Sequence, residues 1–517
     1  MLTRLPLTPA HLYSFDSVNL ALALKNFDPT RNQPQPPGYP LFVAEERLFN
    51  PIFRTPERTF AVLASVVCGL SLGVLYLLGK RMFSPAIGMI AAAFLFVNPA
   101  FWWSGLTSPL RPHIALFSLL VAYFCWRAVS GEPRYFLWAS LAFGLGSGFR
   151  PELLVVLFPL WAWTAWKCGE ARLFIRGFLL AAGSTLLWVI VLAIASGGVA
   201  QMIFAFFPYI FSQTQQTSVL LDPRAGTWIR WAGRAFLWNG LGMLPWIWTI
   251  PFGWSRFRES PERHKLTGFL LAWFLPAFAF YLLVHIAEPD HALTTIPLLC
   301  LAGAYCVVAA EEAIARKWGT EWNGSRGLAV WFTLAVNMML FFMQFTLPQR
   351  LPGTGFRGLQ SVKDAVLIGT FESSYARVLW VEQMLDLSLK RIQELKSSAN
   401  RPVMFVWSRD GEPVWRRICY YLPSDRVVAL DEKGDPAVQV TMAQEWSGPT
   451  QTHTYAGAAP IRIPIPKGVR IIWLISPATV GALGRVVPLQ SAAPLYYTDL
   501  APDSGGFRWG SFEFAPE

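Results

Sequence analysis

Long apolar runs alternate with short polar segments over the first two thirds of the chain. Each run is long enough to cross a hydrocarbon core of about 30 Å, or nearly so as a short or tilted helix. We predict ten membrane-spanning helices, at residues 59–79, 85–103, 112–126, 135–148, 152–166, 177–196, 235–254, 266–285, 292–310 and 327–347. Residues 1–348 are therefore expected to form a mostly α-helical, polytopic transmembrane bundle.

The pattern changes after residue 348, where long apolar runs give way to shorter ones separated by Pro and Gly. Residues 402–407 and 469–475 are rich in β-branched and aromatic side chains, which is typical of strands. Residues 381–395 have helical spacing, residues 413–422 suggest a second helix, and 426–430 a further strand. We predict that residues 349–517 form an extramembrane α/β domain.

Composition agrees with this division. Hydrophobic residues make up 54% of the chain and charged residues only 15%, which excludes an ordinary soluble multidomain protein. The 24 Trp residues suit a protein with many side chains at membrane interfaces. Although the formal charge is +11, the Lys and Arg residues are dispersed, so we expect the lipid bilayer as a partner and no nucleic acid.

The basic residues also predict the direction of the spans, because Lys and Arg in short loops stay on the cytoplasmic side. They are concentrated in alternate loops, at Lys80, Arg81, Arg127, Arg134, Lys167, Arg172, Arg176, Arg256, Arg258, Arg263, Lys265, Arg316, Lys317 and Arg326. The other loops and residues 349–517 would then face outward. We predict a multi-pass protein of the plasma or inner membrane whose active face and C-terminal domain are extracytoplasmic.

With this topology residues 1–58 lie outside, although no apolar helix precedes them to carry them across the membrane. We predict that a first membrane helix is missing, either because the start codon is placed too late or because the gene product is truncated.

An acidic helix start and a proline-rich turn precede the first visible span. Asp16 opens an amphipathic stretch and is suited to capping it. Asp28 stands before Pro29, a common way to begin a turn, and the turn Gln35-Pro-Pro-Gly-Tyr39-Pro-Leu41 leads towards the membrane. Later motifs are Gly79-Lys-Arg-Met-Phe83, Asn98-Pro-Ala-Phe-Trp102 and Gly144-Leu-Gly-Ser-Gly-Phe-Arg150-Pro151.

The order and spacing of these motifs resemble the membrane glycosyltransferases of the GT-C fold, which include protein mannosyltransferases and aminoarabinose transferases. The resemblance covers roughly residues 15–347. It departs from the family at Gln35, where relatives often have His, and in the second external loop, where Arg111 and His113 stand instead of an acidic residue. It implies transfer of a sugar from a polyprenyl-phosphate donor to a hydroxyl of a glycolipid, polysaccharide or protein acceptor.

The resemblance assigns a catalytic role to Asp16, which would take the proton of the acceptor hydroxyl as general base. Without the resemblance, a plain helix cap is the better interpretation. Arg150 interrupts two apolar runs, and an Arg at membrane depth usually has an anionic partner. That partner is either the donor phosphate or, alternatively, neighbouring Glu152 or lipid head groups.

Arg111 on the same face is a second candidate ligand of the donor phosphate. Four further residues there are candidates for substrate binding. Gln35, Tyr39, His113 and His291 are candidate substrate-binding residues, although solvation at a helix start or packing of a turn explains each of them as well. The turn Glu288-Pro-Asp290-His291 offers few ligands, so we expect no obligatory metal ion, and no cofactor is predicted.

Two other classes of function stay open. A transporter or flippase would also have many spans, but the middle of these spans is nearly devoid of the ionisable residues that pumps place along their path. A non-catalytic relative that only binds lipid-linked sugar would fit the departure at Gln35. Activity that depends on Asp16 would separate the enzyme from both.

Overall fold

The structure is a computed structural model. It describes residues 2–221, 225–285, 288–318, 327–343, 369–399, 401–408, 415–422, 426–433, 437–443, 451–456, 461–474, 487–488, 496–502, 505–509 and 512–517. The described residues divide into two compact units. One consists of Met1–Pro9 and Leu20–Val378, and the other of Ala10–Asn19 and Leu379–Glu517.

The first unit is a bundle of α-helices. In chain order the helices are α1 Phe15–Lys25, whose first turn belongs to the second unit, α2 Pro40–Phe53, α3 Pro56–Met82, α4 Pro85–Val97, α5 Pro99–Thr107, α6 Pro112–Val129, α7 Tyr135–Phe149, α8 Leu153–Cys168, α9 Ala171–Ala195, α10 Val199–Thr217, α11 Ala225–Gly240, α12 Ile250–Glu259, α13 Arg263–Leu283, α14 Ile296–Trp318 and α15 Leu328–Phe342. Short 3-10 helices lie at Leu2–Leu7, Pro29–Arg31, Leu241–Met243, Ile247–Thr249 and Pro289–Thr294.

Helices α3, α6, α9, α13 and α14 are each long and apolar enough to cross a membrane. Shorter apolar helices α7, α8 and α15 coincide with three more predicted spans. On α9 large apolar side chains such as Leu179, Leu186 and Ile194 are exposed, as expected of a helix that faces lipid. The prediction of a polytopic transmembrane helix bundle is confirmed.

Two predicted spans are not straight. Residues 85–103 form α4 and α5, which meet at a 57° bend where Asn98 caps α5 and Pro99 cannot continue the hydrogen bonding of α4. Residues 235–254 are divided among α11, two 3-10 helices and α12. That segment contains Gly240, Gly242 and Pro245, which disfavour a continuous helix.

Contacts between helix ends identify one end of the first unit. Arg81, at the end of α3, pairs with Glu132 at 2.5 Å, just beyond α6. Lys265, in the first turn of α13, contacts Ser130 at 3.4 Å. Arg111 precedes the opposite end of α6. The predicted basic loops therefore meet at one end of α6, and the candidate site residue Arg111 lies at the other.

The second unit contains helices α16 Tyr375–Ser397, which begins in the first unit, and α17 Trp415–Tyr421. Its strands are β1 Val403–Ser408, β2 Arg426–Lys433, β3 Ala437–Ala443, β4 Gln451–Ala456, β5 Ile461–Ile465, β6 Arg470–Leu474, β7 Val487–Pro488, β8 Tyr496–Asp499, β9 Phe507–Trp509 and β10 Phe512–Pro516. The main sheet has the order β4-β3-β2-β1-β6-β8-β7, and a three-stranded sheet has the order β5-β10-β9.

The centre of the main sheet is parallel, since β1 pairs in parallel with both β2 and β6. Its outer pairs are antiparallel. A central strand is expected to be apolar on both faces, and β6 is buried along its whole length. The predicted α/β character is confirmed, whereas a boundary at 348/349 stays a prediction because residues 344–368 lie outside the described ones.

Candidate active site at one end of the helix bundle

The candidate site lies where three connections of the first unit meet. Arg111 stands immediately before α6, Arg150 follows α7 directly, and His291 lies in the 3-10 helix Pro289–Thr294 between α13 and α14. Each helix start or end leaves backbone polar groups unpaired, so polar and charged side chains are well placed there. The fold brings together residues that are 180 positions apart.

Arg111 is the centre of a buried polar cluster. Its Nη1 donates to Asp290 Oδ1 at 2.9 Å and to His291 Nε2 at 3.0 Å, while Nη2 lies 3.5 Å from Glu288 Oε2. Asp290 is fully buried. A buried carboxylate needs such a partner, because removing its counter-ion would leave an uncompensated charge in a low dielectric.

His291 is held as a neutral ring. Burial lowers its pKa well below the ordinary value, and the positive charge of Arg111 lowers it further. Its Nε2 lies 3.0 Å from Arg111 Nη1, and its Nδ1 lies 3.3 Å from the backbone nitrogen and 3.2 Å from the carbonyl oxygen of Glu288. His285 lies beside it with ring centroids 4.9 Å apart, and burial followed by the charge of Arg111 lowers its pKa to about 4.

Arg150 makes the local pair that the sequence offered as an alternative. Its Nε donates to Glu152 Oε1 at 2.6 Å, and Nη2 contacts the same oxygen. Burial works against the charge of Arg150, but adjacent Glu152 raises the pKa of the guanidinium overall and Arg150 in turn lowers the pKa of Glu152. Within the described part of the chain Nη1 makes no hydrogen bond, so a donor remains for a further anion.

Two residues of the proline-rich turn are buried. The guanidinium of Arg150 lies 5.4 Å from the ring centroid of Tyr39, within range of a cation–π interaction. Tyr39 has a left-handed backbone (φ +44°) at the start of α2. Gln35 is 2% exposed, and its Oε1 has no hydrogen-bond partner among the described residues. These placements fit candidate ligand contacts.

His113 pairs with an acid that the sequence did not single out. Its Nδ1 donates to the carbonyl oxygen of Leu110 at 3.0 Å, and Nε2 lies 2.8 Å from Glu45 Oε2. The ring stacks on Phe149 with centroids 4.6 Å apart. The connection between α5 and α6 lacks a carboxylate of its own, and Glu45 from α2 supplies one there.

Asp16, the candidate base, belongs to the second compact unit, whereas the residues described so far belong to the first. Asp16 lies in the first turn of α1 and is half-buried, within the Ala10–Asn19 stretch that groups with the second unit. Asp28 has the structural role expected of it: its Oδ1 accepts from Thr30 N at 3.1 Å and from Thr30 Oγ1 at 2.6 Å.

The sequence named Glu152 only as an alternative partner of Arg150, and it missed Glu45 and His285 as members of the cluster. Glu45 could not have been named, because its partner His113 is 68 positions away in the chain. His285 lies near His291 in the chain and could have been named with it. No group of three or more His, Cys, Asp or Glu side chains suitable for a metal ion occurs within the described residues.

The arrangement can bind an anion beside neutral hydrogen-bonding groups. Two buried guanidinium groups supply donors suited to phosphate oxygens. Two imidazoles with lowered pKa can accept or donate hydrogen bonds without adding charge. A rigid, buried set of this kind stabilises a bound charge more than the same groups would in water, because the groups need little reorganisation.

Comparison with known proteins agrees with this fold. A family model described as dolichyl-phosphate-mannose-protein mannosyltransferase matches residues 34–196, which include Arg111, His113 and Arg150. An undecaprenyl phosphate-alpha-4-amino-4-deoxy-L-arabinose arabinosyl transferase from Pseudomonas fluorescens is 26% identical over 309 residues. That match covers 56% of this chain and 49% of the other, so it spans about half the length of the curated relative.

Two solved structures share the architecture. ArnT from Cupriavidus metallidurans in the apo state has a TM-score of 0.58 at 13% identity and covers 96% of both chains. The same protein bound to undecaprenyl phosphate has a TM-score of 0.56 at 12% identity, with 96% of this chain and 95% of that one covered. The class of protein is thereby defined as one with the fold of GT-C membrane glycosyltransferases. Among solved proteins the chain is similar in particular to ArnT, and the sequence-based prediction of the GT-C fold is confirmed.

Proposed function

We propose that the protein is a membrane glycosyltransferase that moves a sugar from a polyprenyl-phosphate carrier to an acceptor hydroxyl on the extracytoplasmic face. The observation that carries the proposal is the buried pair of guanidinium groups, Arg111 and Arg150, at one end of a GT-C bundle. Both arginines have carboxylate partners, but Arg150 keeps a donor for a further anion, and a lipid phosphate is an anion available at membrane depth.

Arg150 and Arg111 hold the donor phosphate in this proposal. Nη1 of Arg150 is the donor left over by Glu152, and Asp290 with His291 fixes the orientation of Arg111. As the bond from the sugar to the phosphate breaks, negative charge grows on the departing phosphate. Preorganised donors aimed at that charge lower the activation free energy. Each donor typically raises the rate by a factor of about 10²–10³.

Neutral His291 and His285 support this electrostatic arrangement. If both imidazoles were protonated beside two arginines, the cluster would repel itself, and burial keeps them neutral instead. Tyr39, Gln35 and His113 are proposed to contact the sugar or the acceptor, since all three are buried and Tyr39 packs against Arg150. A turn or pocket of this kind would set the orientation of the substrate.

Asp16 is proposed as the general base that removes the proton of the acceptor hydroxyl. This assignment rests on its place in the sequence motif rather than on a measured distance to the arginines. A positioned base contributes about 10²- to 10⁴-fold to the rate. The C-terminal unit is proposed to take part in choosing the acceptor, whose class is a glycolipid, a polysaccharide or a protein.

The direct test is transfer of radiolabelled sugar from a panel of polyprenyl-phosphate sugars, in membranes that contain the protein at matched expression. Wild type is expected to transfer from at least one donor, and Asp16→Asn is expected to lower transfer by at least about 10²-fold. Equal transfer by both proteins would remove Asp16 from the mechanism.

The phosphate site has its own test, with binding of a polyprenyl phosphate as the readout. Arg150→Gln alone would leave Glu152 buried without a partner. The double variant Arg150→Gln/Glu152→Gln is therefore used, because it leaves the net charge of the site unchanged. It should weaken binding, whereas Arg172→Gln, which removes an exposed charge on α9, should not. Unchanged binding by the double variant would contradict the assignment.

A further inference from the structure

A half-open apolar cavity lies at the far side of the bundle from the candidate active site. Its volume is about 220 Å³, and it is enclosed by α12, α13, α14 and the residue that ends α3. Its wall includes Phe83, Trp254, Phe257 and Ala302. Such a lining offers almost no hydrogen bonds, so a matching occupant is a hydrocarbon chain rather than a polar solute.

The cavity owes its shape to a close approach of two helices. Gly253 of α12 faces Cys306 of α14, and a Cβ at Gly253 would lie 2.3 Å from Cys306 Sγ. Small residues allow this kind of helix contact in membranes. On the other side the wall is incomplete, because Trp254 is 58% exposed and Ile250 39% exposed. The opening is therefore flanked by side chains that face the surroundings of the bundle.

Positive charge stands at the rim. Arg256 lies between the lining residues Trp254 and Phe257 in the chain, and its guanidinium is 5.1 Å from the ring centroid of Tyr305, which also lines the cavity. Arg256 pairs with Glu312 at 3.2 Å, but the side chains are 39% and 51% exposed. An exposed pair of this kind contributes little and can yield to another anion.

Further basic residues are neighbours of the lining residues in the chain. Arg258 follows the lining residue Phe257 and is exposed, and Lys80 and Arg81 precede Phe83. An apolar cavity with Arg256 at its rim and further cations beside its lining residues in the chain matches a molecule with a hydrocarbon tail and a negative head. Basic residues beside a bilayer attract anionic lipids with about 1 kcal/mol for each Lys or Arg, which is roughly a fivefold gain in binding.

From this charge complementarity we infer that the cavity binds one acyl chain of an anionic glycerophospholipid, with the lipid phosphate on Arg256. The site is distinct from the donor site, because it lies with the basic loops rather than with Arg111 and Arg150. It is also independent of catalysis, so the inference holds or fails separately from the proposed function.

The test uses the full-length protein in nanodiscs that contain an anionic phospholipid with a photoreactive acyl chain, and maps crosslinks by peptide mass spectrometry. Crosslinks are expected on peptides of α12 and α14. Arg256→Gln should reduce them about fivefold. Ala302→Phe fills the cavity and should reduce them about tenfold or more, since several buried methylene groups lose their place.

Matched variants separate a specific site from general contact with lipid. Arg172→Gln removes an exposed charge from α9, and Ala182→Phe adds the same ring at an exposed position of that helix. Neither should alter the crosslinks. The inference is wrong if a zwitterionic probe labels α12 and α14 equally well, if a polyprenyl phosphate displaces the anionic probe, or if the two cavity variants behave like their controls.

Discussion

At the level of single residues, the first unit buries carboxyl groups in two different ways. Asp290 and Glu152 each face a guanidinium. Glu46 of α2 is equally buried, but neither of its oxygens has a hydrogen-bond partner among the described residues. Burial, and then the charge of Glu45, raises the pKa of Glu46 well above its ordinary value. The fold thus raises the pKa of Glu46, whereas it lowers the pKa of Glu152.

Glu46 predicts a pH dependence with a definite sign. A carboxyl whose pKa is raised by folding stabilises the protein fully below its unfolded pKa of about 4.3, and that contribution is lost as the pH rises towards the folded pKa. Glu46→Gln cannot ionise. Relative to wild type it should therefore gain stability as the pH rises above about 5, by about 1.4 kcal/mol for each pH unit until the folded pKa is reached.

The measurement is the free energy of unfolding in detergent micelles between pH 5 and 8 for wild type and Glu46→Gln. Glu513→Gln, at an exposed carboxylate of β10, is the control and should run parallel to wild type. A constant offset between wild type and Glu46→Gln would show that Glu46 is ionised in the folded protein. The prediction concerns how the difference in unfolding free energy between wild type and Glu46→Gln changes with pH. A constant part of that difference is expected, because burying the amide has a cost that does not vary with pH.

At the level of elements, the bundle depends on close contacts between helices at glycine. Helix α7 packs along α9, and a Cβ at Gly144 would lie 2.6 Å from the backbone oxygen of Ala181 and 2.0 Å from Ser184 Oγ. In the other direction a Cβ at Gly177 of α9 would lie 2.4 Å from Phe136. Without a strong hydrophobic driving force in lipid, such contacts are a main source of helix association. They also fix the end of α7, from which Arg150 projects.

Gly144→Ala is expected to destabilise the bundle by about 1–3 kcal/mol, because the backbone oxygen of Ala181 cannot move aside as a flexible side chain would. The readout is the thermal unfolding midpoint in detergent. Gly183 is the matched control on the partner helix, since nothing lies within 4 Å of a Cβ built there. Gly183→Ala should be neutral or slightly stabilising through helix propensity. Equal loss in both variants would mean that the close contact with Ala181 is not the cause of the effect.

On the scale of the whole molecule, sequence reasoning succeeded wherever the signal was local. The spans followed from uninterrupted apolar runs, and α16, β1, β2 and β6 from periodic patterns of a few residues. It was less accurate where two signals competed. Residues 235–254 are apolar enough for one span, but Gly240, Gly242 and Pro245 divide them into shorter helices.

The candidate site shows the same limit more clearly. Arg111, Arg150, His113 and His291 could be named because unusual polar residues stood at the ends of apolar runs. Their partners could be named only where they were neighbours in the chain, as Glu152 is. Glu45 reaches His113 across 68 positions. Such pairs depend on how helices pack, which no short pattern specifies.

The second unit includes an early segment of the chain, and no change in composition predicted that this segment belongs to it. Residues Ala10–Asn19 group with the C-terminal α/β unit, from which they are separated by more than 350 positions. Tyr421 Oη accepts a hydrogen bond from Leu12 N at 2.7 Å, and Arg417 Nε donates to Leu12 O at 2.8 Å. His11 Nδ1 lies 2.7 Å from Glu382 Oε1. The segment that carries Asp16 is therefore held by side chains of the second unit.

Tyr421→Phe should loosen this segment while preserving the aromatic packing. Removing the hydroxyl leaves the buried amide of Leu12 without an acceptor, which costs about 1–3 kcal/mol. Hydrogen–deuterium exchange of peptides that cover residues 10–19 should become faster, by up to about two orders of magnitude if opening is local. Tyr497→Phe is the control: its ring packs against Arg470 with 4.6 Å from the guanidinium carbon to the ring centroid, and this contact does not need the hydroxyl. If both variants exchange like wild type, the Tyr421 hydrogen bond does not hold the segment, and the contacts of Arg417 and His11 together with the burial of Leu12 must do so.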